Sequence, residues 1–368
     1  MIFKEKLKLL RGLFLGEIAY GGPSYIVLYI TRRYNIRCRG CFFHCSQESR
    51  PLPGSRQIED LTLAVADKIC KDLQRLGTTE IFLIDEGEPF LHSDLFNFIA
   101  SFKNAGLKVQ AFTNGTLLDA RSVEEILDSG LDGLTVTFWA VNEQEHKNCH
   151  PGVSTKFLEK RISGLELLKN AKQCKGQRLP LVTLQMPLNK YNYLNLKERM
   201  AIIRRTRCDS IALSFFRNRG GEFQNLALLP EVYCGFIKDL LKMKKELKAI
   251  SVRNNIDEYM SILKLAPNYW DRIPCYVDWF QTYVTVDGTA IPCGHFYHQV
   301  GNLMDTTFKD IWNGTEMKKF RRQGIKLIRE NFPLKSCDCP NCCRTKDNLR
   351  VHHIFKWILP WRYGFYSF

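Results

Sequence analysis

Residues 24–45 read SYIVLYITRRYNIRCRGCFFHC, and the order of the two halves decides the reading. Ser24–Thr31 is a continuous apolar run rich in β-branched and aromatic residues, which predicts a buried strand. A loop carrying Cys38, Cys41 and Cys45 follows at once. Seven of the 14 cysteines fall in this loop and in one other short window, Cys337, Cys339, Cys342 and Cys343. Thiolates that hold a metal must converge on one centre, so such grouping is the pattern of metal or cluster ligands. The N-terminal segment MIFKEKLKLLRGLFLGEIAYGG has Arg11 and Glu17 within its apolar stretches and makes a poor signal peptide. Reduced thiols in the cytoplasm are therefore expected.

Downstream of Gly21-Gly22-Pro23, strands and helices alternate. After the first strand, the spacing predicts a helix over Leu61–Leu76, a strand over Glu80–Ile84, a helix over Asp94–Lys103 and a strand over Leu107–Phe112. Ser122–Asp128 (helix), Gly133–Thr137 (strand), Lys156–Ala171 (helix), Leu181–Met186 (strand), Leu196–Arg205 (helix) and Ser210–Phe215 (strand) continue the series. Six strands separated by helices predict an α/β protein with a parallel sheet, open or curled into a partial barrel, with functional residues at the strands' C-terminal ends. From Pro230 the pattern changes. Glu231–Lys248 reads as a helix, and Thr282–Val286 with Ala290–Cys293 reads as a hairpin turning at Asp287-Gly288. These shifts divide the chain into an amphipathic arm (1–23), a core (24–229), a helical linker (230–274), a cysteine-rich domain (275–345) and an aromatic-basic tail (346–368).

Composition narrows the function classes. Hydrophobic residues are 45% and charged residues 25%, a globular mix that excludes wholesale disorder. No apolar run approaches the ~20 residues of a membrane span. The net charge of +15 favours an anionic partner. No recognised RNA-binding module accompanies it, so nucleic acid is not the expected partner. Phe3, Leu7, Leu10 and Phe14 form one stripe of the arm and Lys4, Lys8 and Arg11 another. Such a helix caps the domain or, together with the basic tail, touches a membrane surface.

Thr31–Cys45 resembles the cluster loop of the radical S-adenosylmethionine (SAM) enzymes, in which three cysteines, usually spaced C-x3-C-x2-C, hold a [4Fe–4S] cluster. Further matches follow in order. Gly87-Glu88-Pro89 resembles the family's GGEP segment with Glu86 in place of the first glycine, Thr113-Asn114-Gly115 its TNG turn, and Val136–Val141 (VTFWAV) its fourth-strand segment. The resemblance covers most of residues 24–215 and implies a partial (β/α)6 barrel. It also implies an open iron that chelates SAM, reductive cleavage to a 5′-deoxyadenosyl radical, and hydrogen abstraction from a peptide, carbohydrate or small molecule. An electron donor such as flavodoxin or ferredoxin is implied as a partner. By resemblance, Gly87 and Glu88 line the methionyl amino group, Thr113 and Asn114 lie near the sugar or sulfonium, and Thr137 approaches the ribose.

In the family's register the first cysteine is Tyr34 here, which leaves Cys38, Cys41 and Cys45 as the expected set. Cys41 and Cys45 would share a face if Phe42–Cys45 made a helical turn. Loss of the first cysteine also permits a catalytically silent partner subunit, and the basic charge permits an RNA-modifying protein; catalysis is the expectation. Cys275, Cys293 and the final Cys337–Cys343 series resemble the SPASM or shorter twitch extensions that hold auxiliary iron–sulfur clusters. They imply Cys275, Cys293, Cys339 and Cys342 as a second ligand set, with a four-cysteine zinc site as the alternative. Two clusters per chain are expected. His146 and His150 are expected on the surface, His295 and His298 face substrate or serve structure, and Cys70, Cys149, Cys174, Cys208 and Cys234 are expected as packed hydrophobes.

Overall fold

The computed structural model describes residues 7–8, 11–13, 16–41, 43–44, 58–84, 86–215, 226–263, 273–294, 298–330 and 344–355. Its centre is a nine-stranded sheet whose outermost strands do not pair with each other, in the order β6-β5-β4-β3-β2-β1-β7-β8-β9. The first six strands are β1 (Tyr25–Leu28), β2 (Glu80–Leu83), β3 (Lys108–Thr113), β4 (Gly133–Thr137), β5 (Leu181–Leu188) and β6 (Ser210–Phe215). They lie parallel and in sequence order, as the alternation predicts. Between them run α1 (Leu63–Leu76), α2 (Leu95–Asn104), α3 (Ala120–Asp128), α4 (Glu143–Cys149), α5 (Lys156–Cys174) and α6 (Leu196–Thr206). Helix α4 is a correction to the sequence reading, which left residues 143–149 without an element. It starts at Asn142, whose side chain accepts from the Glu145 N–H.

Strand alternation sorts side chains to two faces. Ile26, Leu28 and Ile30 enter the main core with Ile69 and Leu73 of α1, while Val27 and Tyr29 join a smaller cluster with Tyr283, Val286 and Ile291. α1 ends at Gly77, which takes a left-handed φ of 81°.

The predicted hairpin exists as β7 (Gln281–Val284) and β8 (Thr289–Ile291), with Gly288 at φ 77° in the turn. It is not separate from the core sheet. β7 pairs in parallel with β1, from Tyr25↔Gln281 to Leu28↔Val284, and β9 (Gly301–Asn302) closes the extension. α7 (Tyr233–Ala249), α8 (Ile256–Leu263), α9 (Phe308–Trp312), α10 (Thr315–Glu330) and α11 (Thr345–Phe355) complete the described elements. The C-terminal half also grips the arm: the Trp312 indole N–H donates to Gly21 O at 2.8 Å, Asn313 bonds both backbone groups of Ala19, and Leu13 is fully buried. At least this part of the arm docks on the protein. Among the described residues no helix is long and apolar enough to cross a membrane.

Candidate active site at the strand ends

Three loops meet at the C-terminal ends of β1, β2 and β3. The loop after β2 approaches the cysteine loop so closely that a Cβ on Gly87 would lie 2.3 Å from Thr31 O and 2.7 Å from Arg33 O. Only glycine permits that approach. The neighbouring Glu86, where the family pattern has glycine, holds a φ of +30°. Its carboxylate meets Arg32 Nε at 2.6 Å, and its carbonyl oxygen accepts from the His44 ring.

Glu88 joins all three loops. Its N–H donates to Arg33 O at 2.8 Å. One carboxylate oxygen accepts from Phe90 N–H, the other from Asn114 N–H at 2.7 Å. Burial pushes its carboxyl up to about 7, against the pull of these hydrogen bonds. Asn114 in turn donates from Nδ2 to Asn35 Oδ1 at 2.9 Å, and Asn35 donates to Thr116 Oγ1 at 2.9 Å. Thr113 Oγ1 accepts from Gly115 N–H. Gly87, Glu88, Thr113 and Asn114 are thus brought together, with Thr137 half-buried at the end of the neighbouring β4.

Cys38 is 5% exposed, and Cys41 sits one turn on, its N–H donating to Cys38 O at 3.0 Å. Burial, then the nearby Cys41, pushes the Cys38 thiol up to about 12. Metal binding must displace that proton. Tyr34 hydrogen-bonds the Cys38 side chain and stacks on His44, with ring centroids 4.5 Å apart and planes at 14°. Burial first, and then the Cys38 charge, keeps its phenol well above the ordinary tyrosine value. Phe42 and Cys45 lie outside the described residues, as do Cys337, Cys339, Cys342, Cys343 and His295. Among the described residues no three histidine, cysteine or acidic side chains converge as a metal set. Two soft sulfur donors side by side, a glycine cradle and a buried cation nonetheless fit a cluster better than a hard metal.

That cation, Arg161 of α5, was not singled out from sequence. It is 1% exposed and lies in the field of Cys38, Tyr34 and Glu88. The available signal was a charged residue inside the stripe Leu158, Ile162, Leu165, where an amphipathic helix should be apolar. His146 and His150 correct the surface expectation. Both are fully buried, stacked 4.6 Å apart, in the interior beside Arg161, because the undetected α4 turns that face inward. Cys149 is buried next to them and its carbonyl accepts from Arg39 N–H of the cysteine loop at 2.8 Å. Cys70 and Cys208 are buried as expected, whereas Cys174 and Cys234 are exposed. In the C-terminal region Cys293 is buried at the end of the hairpin, and Cys275 is half-buried with its N–H bonded to Gly324 O. His298 is half-exposed and pairs with Glu316 at 3.1 Å.

Comparison with known proteins settles the family. The model of the radical SAM superfamily matches residues 28–214, more than half of the chain. The chain belongs to the radical SAM superfamily. A second model, SPASM, an iron–sulfur cluster-binding domain, matches residues 275–343. Members of the superfamily are enzymes of SAM-dependent radical chemistry. SAM and two [4Fe–4S] clusters are the cofactors that the two matches together specify.

Solved structures agree on the fold. Streptococcus suis SuiB bound to S-adenosylmethionine is similar at 14% identity and a TM-score of 0.64, over 92% of this chain and 76% of that one. SuiB bound to its precursor peptide SuiA gives 13% and 0.62, over 92% and 74%. anSMEcpe with bound AdoMet and the Cp18Cys peptide gives 15% and 0.61, over 93% and 98%.

Proposed function

We propose that this radical SAM protein is a catalytically active enzyme that abstracts a hydrogen atom from an unactivated carbon of its substrate. Cys38, Cys41 and Cys45 hold the SAM-cleaving cluster, and Cys275, Cys293, Cys339 and Cys342 hold the auxiliary one. When bound, SAM and the reduced cluster supply the hydrogen-abstracting reagent, with methionine and 5′-deoxyadenosine as the residual fragments. The chain's own residues bind and orient. Gly87 lets two backbones close on each other, Glu88 fixes the Asn114 turn, and Thr113, Asn114 and Thr137 face the nucleoside side. Tyr34 holds Cys38 through its hydroxyl and is not a ligand, because its phenol keeps its proton where a thiol gives up its own to iron more readily.

The observation that carries this reading is the Glu88 carboxylate, bonded to Asn114 N–H while its own N–H bonds Arg33 O. It ties the cysteine loop, the Gly-Glu-Pro loop and the Thr-Asn-Gly turn into one unit. A decayed site would not need that unit. The silent-partner reading is therefore set second, and RNA modification third.

A peptide is the substrate class to test first, since the SuiB and anSMEcpe structures carry peptides; a carbohydrate or small molecule follows. The electron donor is a small acidic flavodoxin or ferredoxin, which the +15 charge suits. The test is anaerobic reconstitution with iron and sulfide, reduction, and assay for 5′-deoxyadenosine. Release of 5′-deoxyadenosine by the wild type and its loss in Cys38→Ala support the enzyme. A fully loaded, reduced protein that leaves SAM intact is the silent partner instead.

A further inference from the structure

Among the described residues three arginines are fully buried, and two of them face an acid. Arg199 meets Glu145 at 3.0 Å, and Arg321 lies beside Asp278 while donating to three oxygens. Arg161 differs. Its Nε and Nη1 lack hydrogen-bond partners, as those of Arg199 do, but among the described residues no carboxylate contacts Arg161 to answer its charge. It is packed beneath the Thr-Asn-Gly turn, where a Cβ on Gly115 would lie 3.5 Å from its Cγ. An unanswered guanidinium in this setting is strongly unfavourable. Such a group persists when the loaded protein supplies an anion.

Its surroundings narrow what the anion is. Arg161 is 1% exposed, with Nε and Nη1 shut off from solvent. The groups that feel its charge are, in order, Cys38, Tyr34 and Glu88. Glu88 spends its oxygens on Phe90, Asn114 and Thr113, and the Tyr34 hydroxyl is engaged with the Cys38 side chain. Cys38 remains. The stacked imidazoles of His146 and His150 add no second cation, since burial first, and the Arg161 charge next, hold both neutral.

We propose that Arg161 is the counter-charge of the cluster held by Cys38, a positioning residue that raises that cluster's one-electron reduction potential. The inference rests on the ligand reading above. Each electron taken up adds one negative charge to the cluster, and a fixed cation in a low-dielectric pocket favours the more negative state.

The experiment is a potentiometric titration, followed by EPR, of reconstituted protein carrying both clusters, comparing wild type, Arg161→Gln, Arg161→Lys and Cys38→Ala. The signal missing from Cys38→Ala should titrate at a more negative potential in Arg161→Gln and return most of the way in Arg161→Lys. The auxiliary signal should not move. An unchanged potential in Arg161→Gln overturns the proposal, and if SAM binding weakens at the same time Arg161 anchors the SAM carboxylate instead. Equal shifts of both signals also overturn it, as the mark of general disruption. Should Arg161→Gln hold no N-terminal cluster, Arg161→Lys decides: a bound cluster near the wild-type potential supports the counter-charge, and a lost one beside an intact auxiliary cluster refutes it. If both signals survive in Cys38→Ala, the ligand reading fails, while the Arg161→Gln shift still judges the charge.

Discussion

Arg161 and Arg321 are both buried arginines, one behind the cysteine loop and one in the C-terminal region, yet their charges are spent differently. Arg321 lies over the Trp312 ring at 4.4 Å and donates to the backbone oxygens of Asp278 and Glu17 and to Asn313. Its guanidinium, lowered to about 10 by burial, is pulled back by the Asp278 charge. That arginine ties α10 to the arm and the sheet extension. Among the described residues Arg161 faces no acid and leaves Nε and Nη1 empty, whereas Arg321 leaves only Nη2 empty. A structural cation is one whose donors are used in the folded chain; a cation left over is available to something the chain binds.

The sharpest way to break this contrast is to remove the anion. Cys38→Ala should abolish SAM cleavage and lower the iron content from about eight to about four per chain, with the auxiliary cluster retained. Iron and sulfide analysis beside the 5′-deoxyadenosine assay reads both. About four irons and one zinc in the wild type would reassign the C-terminal set to zinc.

Next comes a committed pair. Glu145 is buried with Arg199 at 3.0 Å and also accepts from Asn195 and Val141 N–H, which fixes α4 against α6. Glu145→Ala leaves Arg199 without its acid and should cost about 3–5 kcal/mol in urea unfolding. Loss of α4's anchor should also release His146 and His150, so a smaller cost would show that α4 is held mainly by apolar packing.

What the sequence made legible follows from distance along the chain. The cysteine loop, Gly87-Glu88 and Thr113-Asn114 are short local patterns tied to strand ends, and the six parallel strands appear with boundaries within a few residues. The pairing of β7 with β1 joins residues more than 250 positions apart, and nothing local marks it. α4 escaped because its seven residues, EQEHKNC, are polar but for Cys149, although its buried face is built from Glu145, His146 and Cys149. Polar residues buried by pairing defeat a reading based on apolar periodicity. The same cause hid Arg161 among the leucines of α5.

Glu88 offers a pH test of how firmly the three loops are joined. Its folded value is about 7, against an unfolded value of ~4.3. Between these the folded protein keeps a proton that the unfolded chain has lost. Stability of the metal-free protein should therefore fall as pH rises through this window, by at most about 1.4 kcal/mol per pH unit, and level off above it. Glu88→Gln should flatten that slope. An unaltered slope would mean that another group carries it.

Arg161→Met tests the contrast from the opposite side. A methionine fills similar space without a charge to desolvate, so the metal-free protein should gain ~1–3 kcal/mol while the holoprotein loses its counter-charge. Arg321→Met should instead destabilise, because it breaks three hydrogen bonds made by Nε and Nη1. Denaturation of both variants without metal compares them directly, and equal signs would erase the distinction.

The smallest effect is expected at Glu86, where strain and charge oppose each other. A non-glycine residue at φ +30° costs ~1–2 kcal/mol, which Glu86→Gly would recover. The same change removes one partner of Arg32, whose side chain is 12% exposed and meets Glu86 at 2.6 Å. Arg32 keeps its bond from Nη1 to Ile58 O and some access to water, so it is stranded less severely than a sealed cation. The two terms nearly cancel, and Glu86→Gly should destabilise by about 1 kcal/mol or less. Adding Arg32→Met should turn that into a gain, since the strain relief remains and no unpaired charge does. A double variant no more stable than Glu86→Gly alone would show that Arg32 was never held by its acid. The loop would then be held by Gly87 packing against Thr31 and Arg33 and by the hydrogen bonds of Glu88 and His44.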